Sequence, residues 1–455
     1  MTSAILALYM ALTALFAPPQ QVTFSETIAP IIYQNCVTCH RPGEAAPFSL
    51  ISYEDVKKRG TLIAAVTKSR YMPPWHATHG FGEFKEERRL SDEQIASIAE
   101  WVAQGMPQGD PGRMPTLPAF TEGWHLGKPD LILEMPMAYE VPASGPDIYR
   151  NFVVPSNLTE DRWVRAIEFR PGARKAVHHV LIGYDTSGQV RKLDGADGRP
   201  GYSTTMGGNF TNTANSASLG GWAVGNVPEF LPEEFALALP KGSDIVLQMH
   251  FHPTGKPETE KSVIGIYFSN KPPERSLISV ELPPLFGFGA GINIPAGKSD
   301  YTVEDSLTLP VGVQVFGVFV HAHYVAKQVK ATATMPDGSV QPLIWIKDWD
   351  FNWQDVYTYK TLVTLPIGTR IDVRVTYDNS DNNPGNPNSP PKAVMWGEQT
   401  FDEMASVSIP VVTVRKEDEQ VLRELLSNRQ KAAIQRGIQD GTLKRMMDQR
   451  AIGAK

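Results

Sequence analysis

The chain has 455 residues, 42% of them hydrophobic and 20% charged, with a net charge of −6 and two cysteines. That length exceeds one ordinary domain and predicts two or three. The charge balance excludes a broad basic nucleic-acid surface, the cysteine count excludes a disulfide framework, and 37 glycines with 37 prolines favour a strand- and loop-rich body.

Residues 1–20 begin with an apolar run, Ala4-Ile5-Leu6-Ala7-Leu8-Tyr9-Met10-Ala11-Leu12, and reach Pro18-Pro19. The run has the character of a secretory signal peptide, though no Lys or Arg precedes it. An uncleaved membrane anchor and a buried helix are the alternatives. The expectation is export to a periplasmic or other extracytoplasmic space, because the next motif requires it.

In residues 22–113, Cys36-Val37-Thr38-Cys39-His40 is C-x-x-C-H, the attachment signature of a c-type haem, and the region resembles a small all-α cytochrome c domain. Two thiols one helical turn apart reach the two vinyl groups, and the following imidazole falls beneath the iron. A redox dithiol does not need the histidine, and half a zinc site has no second C-x-x-C to complete it. Met72, in Tyr71-Met72-Pro73-Pro74-Trp75, is the candidate sixth ligand, with His76 and His79 as competitors. Ser91 with Gln94 forms a capping box, opening a helix with Ile95, Ile98, Trp101 and Val102 on one face. The Pro/Gly-rich residues 114–130 read as a linker.

From 131 to 415 the pattern is short β-branched and aromatic runs broken by Pro, Gly, Asn and Asp, which predicts two tandem antiparallel, jelly-roll-like β-sandwiches, at 131–271 and 272–415. The Gly/Asn/Ser-rich stretch 201–228 reads as a long excursion loop. Of ten histidines, most fall in tight clusters: His178-His179, His250-Phe251-His252 and His321-Ala322-His323. His321 and His323 read as alternate residues of a strand, so they share a face. His178 and His179 are adjacent and can reach one metal only at a strand start or bulge. His250 closes a candidate three-histidine site, and His252 reads as a supporting or surface residue. Imidazole suits copper, zinc, iron or nickel, and the pattern alone does not choose. Met404, in Trp396-Gly397-Glu398-Gln399-Thr400-Phe401-Asp402-Glu403-Met404, offers a thioether that favours Cu(I).

The order His-His, Leu-Gln-Met-His, His-x-His and Trp-Gly-x-x-Thr-x-Asp-Glu-Met resembles the copper type II, ascorbate-dependent monooxygenases over roughly residues 145–410. The resemblance implies two β-sandwiches facing each other across a cleft, each holding one copper. It assigns His178, His179 and His250 to an electron-transfer copper, and His321, His323 and Met404 to an oxygen-activating one. It implies hydroxylation of a C–H bond of a small organic substrate with O2, driven by an external donor such as ascorbate or a redox protein. Phe319 stands where the peptide-hydroxylating members carry an arginine, and Ser406 and Ser408 stand where they carry Asn and Tyr. A glycine-extended peptide is therefore not the expected substrate. Asp402, Glu403 and Tyr324 are supporting candidates, and Phe319, Trp345, Trp349 and Trp353 hint at an aromatic pocket. The fused cytochrome suggests that haem feeds the three-histidine copper. The alternatives are an electron-transfer or copper-binding haem protein without hydroxylase activity and, more remotely, a zinc hydrolase, which gives Met404 no purpose.

Residues 416–455 read as a helical tail with an apolar stripe at Val421, Leu422, Leu425 and Leu426, interrupted at Gly437 and Gly441.

Overall fold

The computed structural model describes residues 21–453 except 43, 45, 121–122, 204–215 and 225. The expected signal segment lies outside the described residues. Among those described, no helix is long and apolar enough to cross a membrane. The chain divides into two compact units, residues 1–75 with 87–120, and residues 76–86 with 121–455.

The first unit is helical over residues 24–103, with no strand among its described residues. A π-helical turn at Phe24–Ile28 leads into α1 (Ala29–Asn35), followed by α2 (Tyr53–Lys57), α3 (Gly60–Lys68) and α4 (Asp92–Ala103). Phe24, Ile28, Ile32, Val56, Ile63, Ile98 and Trp101 form its core. The capping box is present: Ser91 accepts from the Gln94 amide, and Gln94 accepts from the Ser91 amide. Leu117 and Phe120 pack against this core, so the first part of the expected linker belongs to the unit.

The second unit is mostly β-sheet and ends in helices. In its first half, one sheet has the order β1 (Leu131–Glu134), β10 (Val263–Phe268), β4 (Arg162–Arg170), β7 (Phe235–Leu239), β11 (Arg275–Ser276). The other runs β3 (Ile148–Pro155), β8 (Asp244–Phe251), β5 (Val177–Asp185), β6 (Ser216–Ala223), and a small ribbon pairs β2 (Tyr139–Val141) with β9 (Glu258–Glu260). One core joins both main sheets, with Leu133, Val164, Phe169, Ile264 and Ile266 meeting Phe152, Val154, Val180, Ile182, Ile245 and Leu247. Strand β8 is buried at every position, because its other face is covered too: Val246 packs with Val153, Val190 and Tyr202. Val190 lies on α5 (Gln189–Leu193). The buried Arg150 ties down the following loop, gripping Asp197 with two bonds of 2.7 and 2.9 Å and donating to the carbonyls of Arg199 and Gly201.

In the second half, one sheet has the order β12 (Ile278–Leu282), β21 (Ser406–Thr413), β15 (Val313–His321), β18 (Val356–Leu365). The other is β14 (Tyr301–Thr308), β19 (Arg370–Tyr377), β16 (Ala326–Thr334), β17 (Val340–Ile346), with a small β13 (Asn293–Ile294)–β20 (Val394–Met395) pair. Alternating burial along β16 and β19 is the period-2 pattern of strands with one face in a core. Tyr377 of β19 donates to the Met404 carbonyl at 2.7 Å, a link from this sheet to the segment that enters β21.

Several boundaries depart from the sequence reading. Residues 275–276, beyond the seam expected after residue 271, form β11 and pair in parallel with β7. Residues 216–223, expected as loop, form strand β6, since backbone bonds to β5 outweigh the poor intrinsic strand preference of Gly and Ser. Residues 76–86, expected in the cytochrome domain, go with the β-rich unit: the Thr78 amide bonds Trp345 O at 2.7 Å and Phe84 stacks on Tyr359. His76 and His79 travel with them. Residues Trp124 and Pro129, expected as linker, pack over Gly265, where a Cβ would meet them at 2.8 and 2.7 Å.

The tail forms α6 (Glu419–Gln439) and α7 (Thr442–Gly453). Helix α6 runs through Gly437 without a break. A Cβ there would lie 2.1 Å from the Phe288 ring, so the glycine exists for close approach and not as an interruption. Gly441, at φ +77°, does separate the two helices.

Candidate metal centre

The first histidine group arises from a defect in the β5–β8 ladder. Val177 pairs with Phe251 but His179 with His250, which leaves one extra residue, His178, in a bulge. A bulge re-aims consecutive side chains, the condition that adjacent ligands impose. His178 Nδ1 lies 3.1 Å from His179 Nδ1, which lies 3.4 Å from His250 Nδ1. One ring nitrogen from each of the three falls within 4.8 Å of the others, a spacing that could hold a metal ion. Lone pairs converging this closely repel unless a proton or a cation lies between them.

Burial keeps these rings neutral, the form that ligates metals. It drives His178 down to about 3 and His179 well below its ordinary value, with neighbouring imidazoles adding to the effect. His250 is lowered by burial as well, although Asp147 opposes the shift. Asp147 lies 3.2 Å from His250 Nε2 and 2.8 Å from His252 Nδ1. Burial alone would raise its carboxyl, but bonds from His250, Thr400 and His252 reverse that and hold it below the usual carboxylate range. Tyr149 stacks on His250, with ring centroids 4.3 Å apart.

The second pair sits at the end of β15. The strand stops at His321, so His323 is not a strand residue as its spacing suggested. A buried carboxylate replaces the ladder there. Glu403 accepts from the amides of His323, Val325, Ala326 and Met404 at 2.8–3.1 Å. Burial pushes its carboxyl up to about 8 against the pull of these amides. Two of them, His323 N and Met404 N, share the oxygen Oε2, at 2.9 and 3.0 Å, which holds the Met404 backbone beside His323. The sheet does the same for His321, which pairs across β15–β21 with Ser406, two residues after Met404. Met404 is 1% exposed.

Each ring of this pair has one nitrogen fixed and one free. His321 Nδ1 lies 2.6 Å from Gln354 Oε1, and His323 Nδ1 lies 3.2 Å from the Asp402 carbonyl. Both partners are acceptors, so each Nδ1 carries the hydrogen and each Nε2 keeps its lone pair. Both Nε2 atoms are buried and have no hydrogen-bond partner. This is the arrangement in which an outer acceptor selects the tautomer that ligates. Burial lowers His321 to about 4 and His323 well below its ordinary value. The Phe286 and His321 rings meet nearly at right angles, with centroids 5.3 Å apart. Phe286 and Leu285 have φ of +54° and +56°, a left-handed conformation costly for bulky residues. The half-buried Glu281 carboxylate holds it by accepting from both amides and from the Ser406 hydroxyl.

The donor sets therefore fit copper: neutral imidazoles with free lone pairs, and a buried thioether in the segment beside the second pair. Sequence reasoning missed Asp147, Tyr149, Gln354 and Phe351, which no local motif marks, and it named Glu403 without a role. Trp349 supports the pair by donating to the His323 carbonyl at 3.0 Å. Trp345 instead packs with Phe81, Lys330 and Lys347. His252 is exposed, 59% at its side chain, as its reading as a supporting residue allows.

In the helical unit, Cys36 and Cys39 are thiols not joined in a disulfide, on the turn that follows α1, and the His40 amide bonds Cys36 O at 2.9 Å. His40 Nδ1 lies 3.1 Å from the Phe48 carbonyl, so its Nε2 carries the lone pair. Burial pushes the Cys36 thiol up to about 12. Two reduced thiols and an oriented imidazole fit covalent haem attachment. Met72 lies in the same unit, its amide bonded to Val66 O at 3.1 Å.

The C-terminal half can be compared with known families. Residues 297–409 match the family model described as copper type II ascorbate-dependent monooxygenase, C-terminal domain. The matched segment contains His321, His323, Gln354, Glu403 and Met404, and it supports a copper-dependent oxidoreductase. Among solved structures, the infectious bursal disease virus VP2 subviral particle is 9% identical, over 65% of this chain and 75% of that one, with a TM-score of 0.18. PNGF-II is 12% identical, over 66% of this chain and 64% of that one, with a TM-score of 0.23. Likenesses this weak carry no argument.

The neutral histidines give the metal-free protein a pH dependence. Below pH 6.5 the unfolded chain protonates these imidazoles, whereas folded His321 resists to about 4 and His178 to about 3. The unfolded state then binds more protons, so stability falls as pH drops through that window, by up to about 1.4 kcal/mol per pH unit for each histidine. Urea unfolding of the metal-free protein should show a markedly lower midpoint at pH 5 than at pH 7.5. Equal midpoints would mean that the rings titrate freely.

Proposed function

We propose that this protein is an exported, copper-dependent monooxygenase that hydroxylates a C–H bond of a small organic substrate with O2. In this reading residues 131–276 and 278–413 are tandem β-sandwiches, each carrying one copper. His178, His179 and His250 would hold the first, and His321, His323 and Met404 the second. Copper there supplies reversible one-electron chemistry and O2 activation.

The chain's own residues prepare the sites. Gln354 and the Asp402 carbonyl fix the tautomers of His321 and His323. Glu403 holds the His323 and Met404 backbones together. Phe286 and Phe351 shield the imidazoles with their apolar rings. Phe319, in place of a substrate-gripping arginine, leaves an apolar side chain on β15 and supports a substrate without a carboxylate anchor.

The observation that carries the reading is the pair of buried, unpartnered Nε2 atoms of His321 and His323, each opposite a ring nitrogen fixed by an acceptor. X-ray absorption on the copper-loaded, ascorbate-reduced protein tests it. The expected result is two coppers per chain and sulfur scattering that disappears in Met404→Leu. Two coppers without sulfur in the unsubstituted protein would sink the assignment of Met404.

The helical unit would hold a c-type haem through Cys36, Cys39 and His40, with Met72 as sixth ligand. A haem there supplies single electrons, and we propose that it feeds the three-histidine copper. A Cys36→Ser/Cys39→Ser variant should then consume O2 slowly with a protein donor. Undiminished consumption would leave the unit a docking module.

A further inference from the structure

We propose that the two histidine groups form a single closed centre, with Phe351 as the spacer between them; this rests on the copper reading above. The resemblance to separated copper domains led to an open cleft as the expectation. The rings instead meet. His179 and His321, one from each half, have centroids 5.8 Å apart at 79°, an edge-to-face contact. Thr400 of the other half lies beside Asp147, which adjoins His250.

The decisive element is the loop between β17 and β18. It bonds one histidine group and stacks on the other. Trp349 donates to the His323 carbonyl, and Gln354 accepts from His321. Between them Phe351, 5% exposed, lies flat on His178, with centroids 4.6 Å apart at 10°. The same ring meets His323 at 5.8 Å, Tyr324 at 4.5 Å and His250 at 6.4 Å. The loop is stiffened by Asp350, which accepts from both the amide and the side chain of Asn352. A side chain packed against ligands of both groups sets the distance between them, because a well-packed aromatic contact does not stretch continuously. Copper ions held by these rings would be close enough for their unpaired electrons to interact.

Electron paramagnetic resonance of the fully loaded, oxidised protein tests this without measuring turnover. The expected result is a half-field transition and a spectrum that differs from the sum of the spectra of His250→Ala and His321→Ala, each carrying one copper. Phe351→Ala should keep both coppers and lose most of the half-field intensity. Phe351→Leu, which fills more of the space, should lose less and guards against misfolding of the smaller variant. A two-copper protein whose spectrum equals that sum, with no half-field signal, overturns the closed centre while leaving the copper reading intact. Unchanged intensity in both Phe351 variants overturns the spacer role. Failure to bind two coppers overturns this inference and the reading beneath it.

Discussion

Glu403→Ala is expected to destabilise the protein by on the order of 4 kcal/mol or more, since each buried group left unsatisfied costs about 1–3 kcal/mol. Four amides lose an acceptor, those of His323, Val325, Ala326 and Met404. The residue is fully buried, so water does not replace the carboxylate without opening the site. Glu403→Gln should be intermediate, at about half the loss, because its single amide oxygen serves one pair of donors while its NH2 faces the other pair. Denaturant unfolding of the metal-free proteins measures both effects apart from any contribution of bound copper. An alanine variant with near-normal stability would show that these amides find other partners, and that His323 and Met404 do not depend on one carboxylate for their alignment.

The second large effect is on metal binding. His321→Ala should bind one copper fewer than the unsubstituted protein and lower turnover at least 10³-fold, about 4 kcal/mol of transition-state stabilisation. His250→Ala should lose the other copper. Gln354→Leu leaves every ligand in place and removes only the acceptor at 2.6 Å from His321 Nδ1. Its copper affinity should fall about 10- to 100-fold, the usual cost of losing an outer partner of a ligating histidine. Competition with a chelator of known affinity measures each value. If Gln354→Leu bound copper as tightly as the parent, the tautomer argument for His321 would fail.

Reading the residues in order went far for this chain, and it failed in particular places. The capping box at Ser91 and Gln94 was legible because both bonds are local. The histidine clusters were legible as residue types close together in the chain, although the strand ends before His323 and a bulge, not regular alternation, sets His178. Gly437 was misread as an interruption because its reason, the Phe288 ring, lies far away in sequence. Strand β6 was misread because Gly and Ser have no strand preference of their own, and pairing with β5 supplies it. Residues 76–86 were assigned to the wrong unit because continuity along the chain says nothing about which sheet edge a segment joins.

The chemistry of the candidate ligands was settled by the sequence alone: imidazoles in pairs, one thioether after an Asp-Glu, two thiols and a histidine in one short motif. Those are properties of residue type and short spacing, which no fold alters. Convergence was decided only in three dimensions. The bulge at His178, the carboxylate of Glu403 between two backbone segments, the acceptors Gln354 and Asp402 that choose each tautomer, and Phe351 packed on both groups all join residues distant along the chain. Such contacts depend on strand register and the packing of one half against the other, long-range terms that leave no mark on the neighbouring residues.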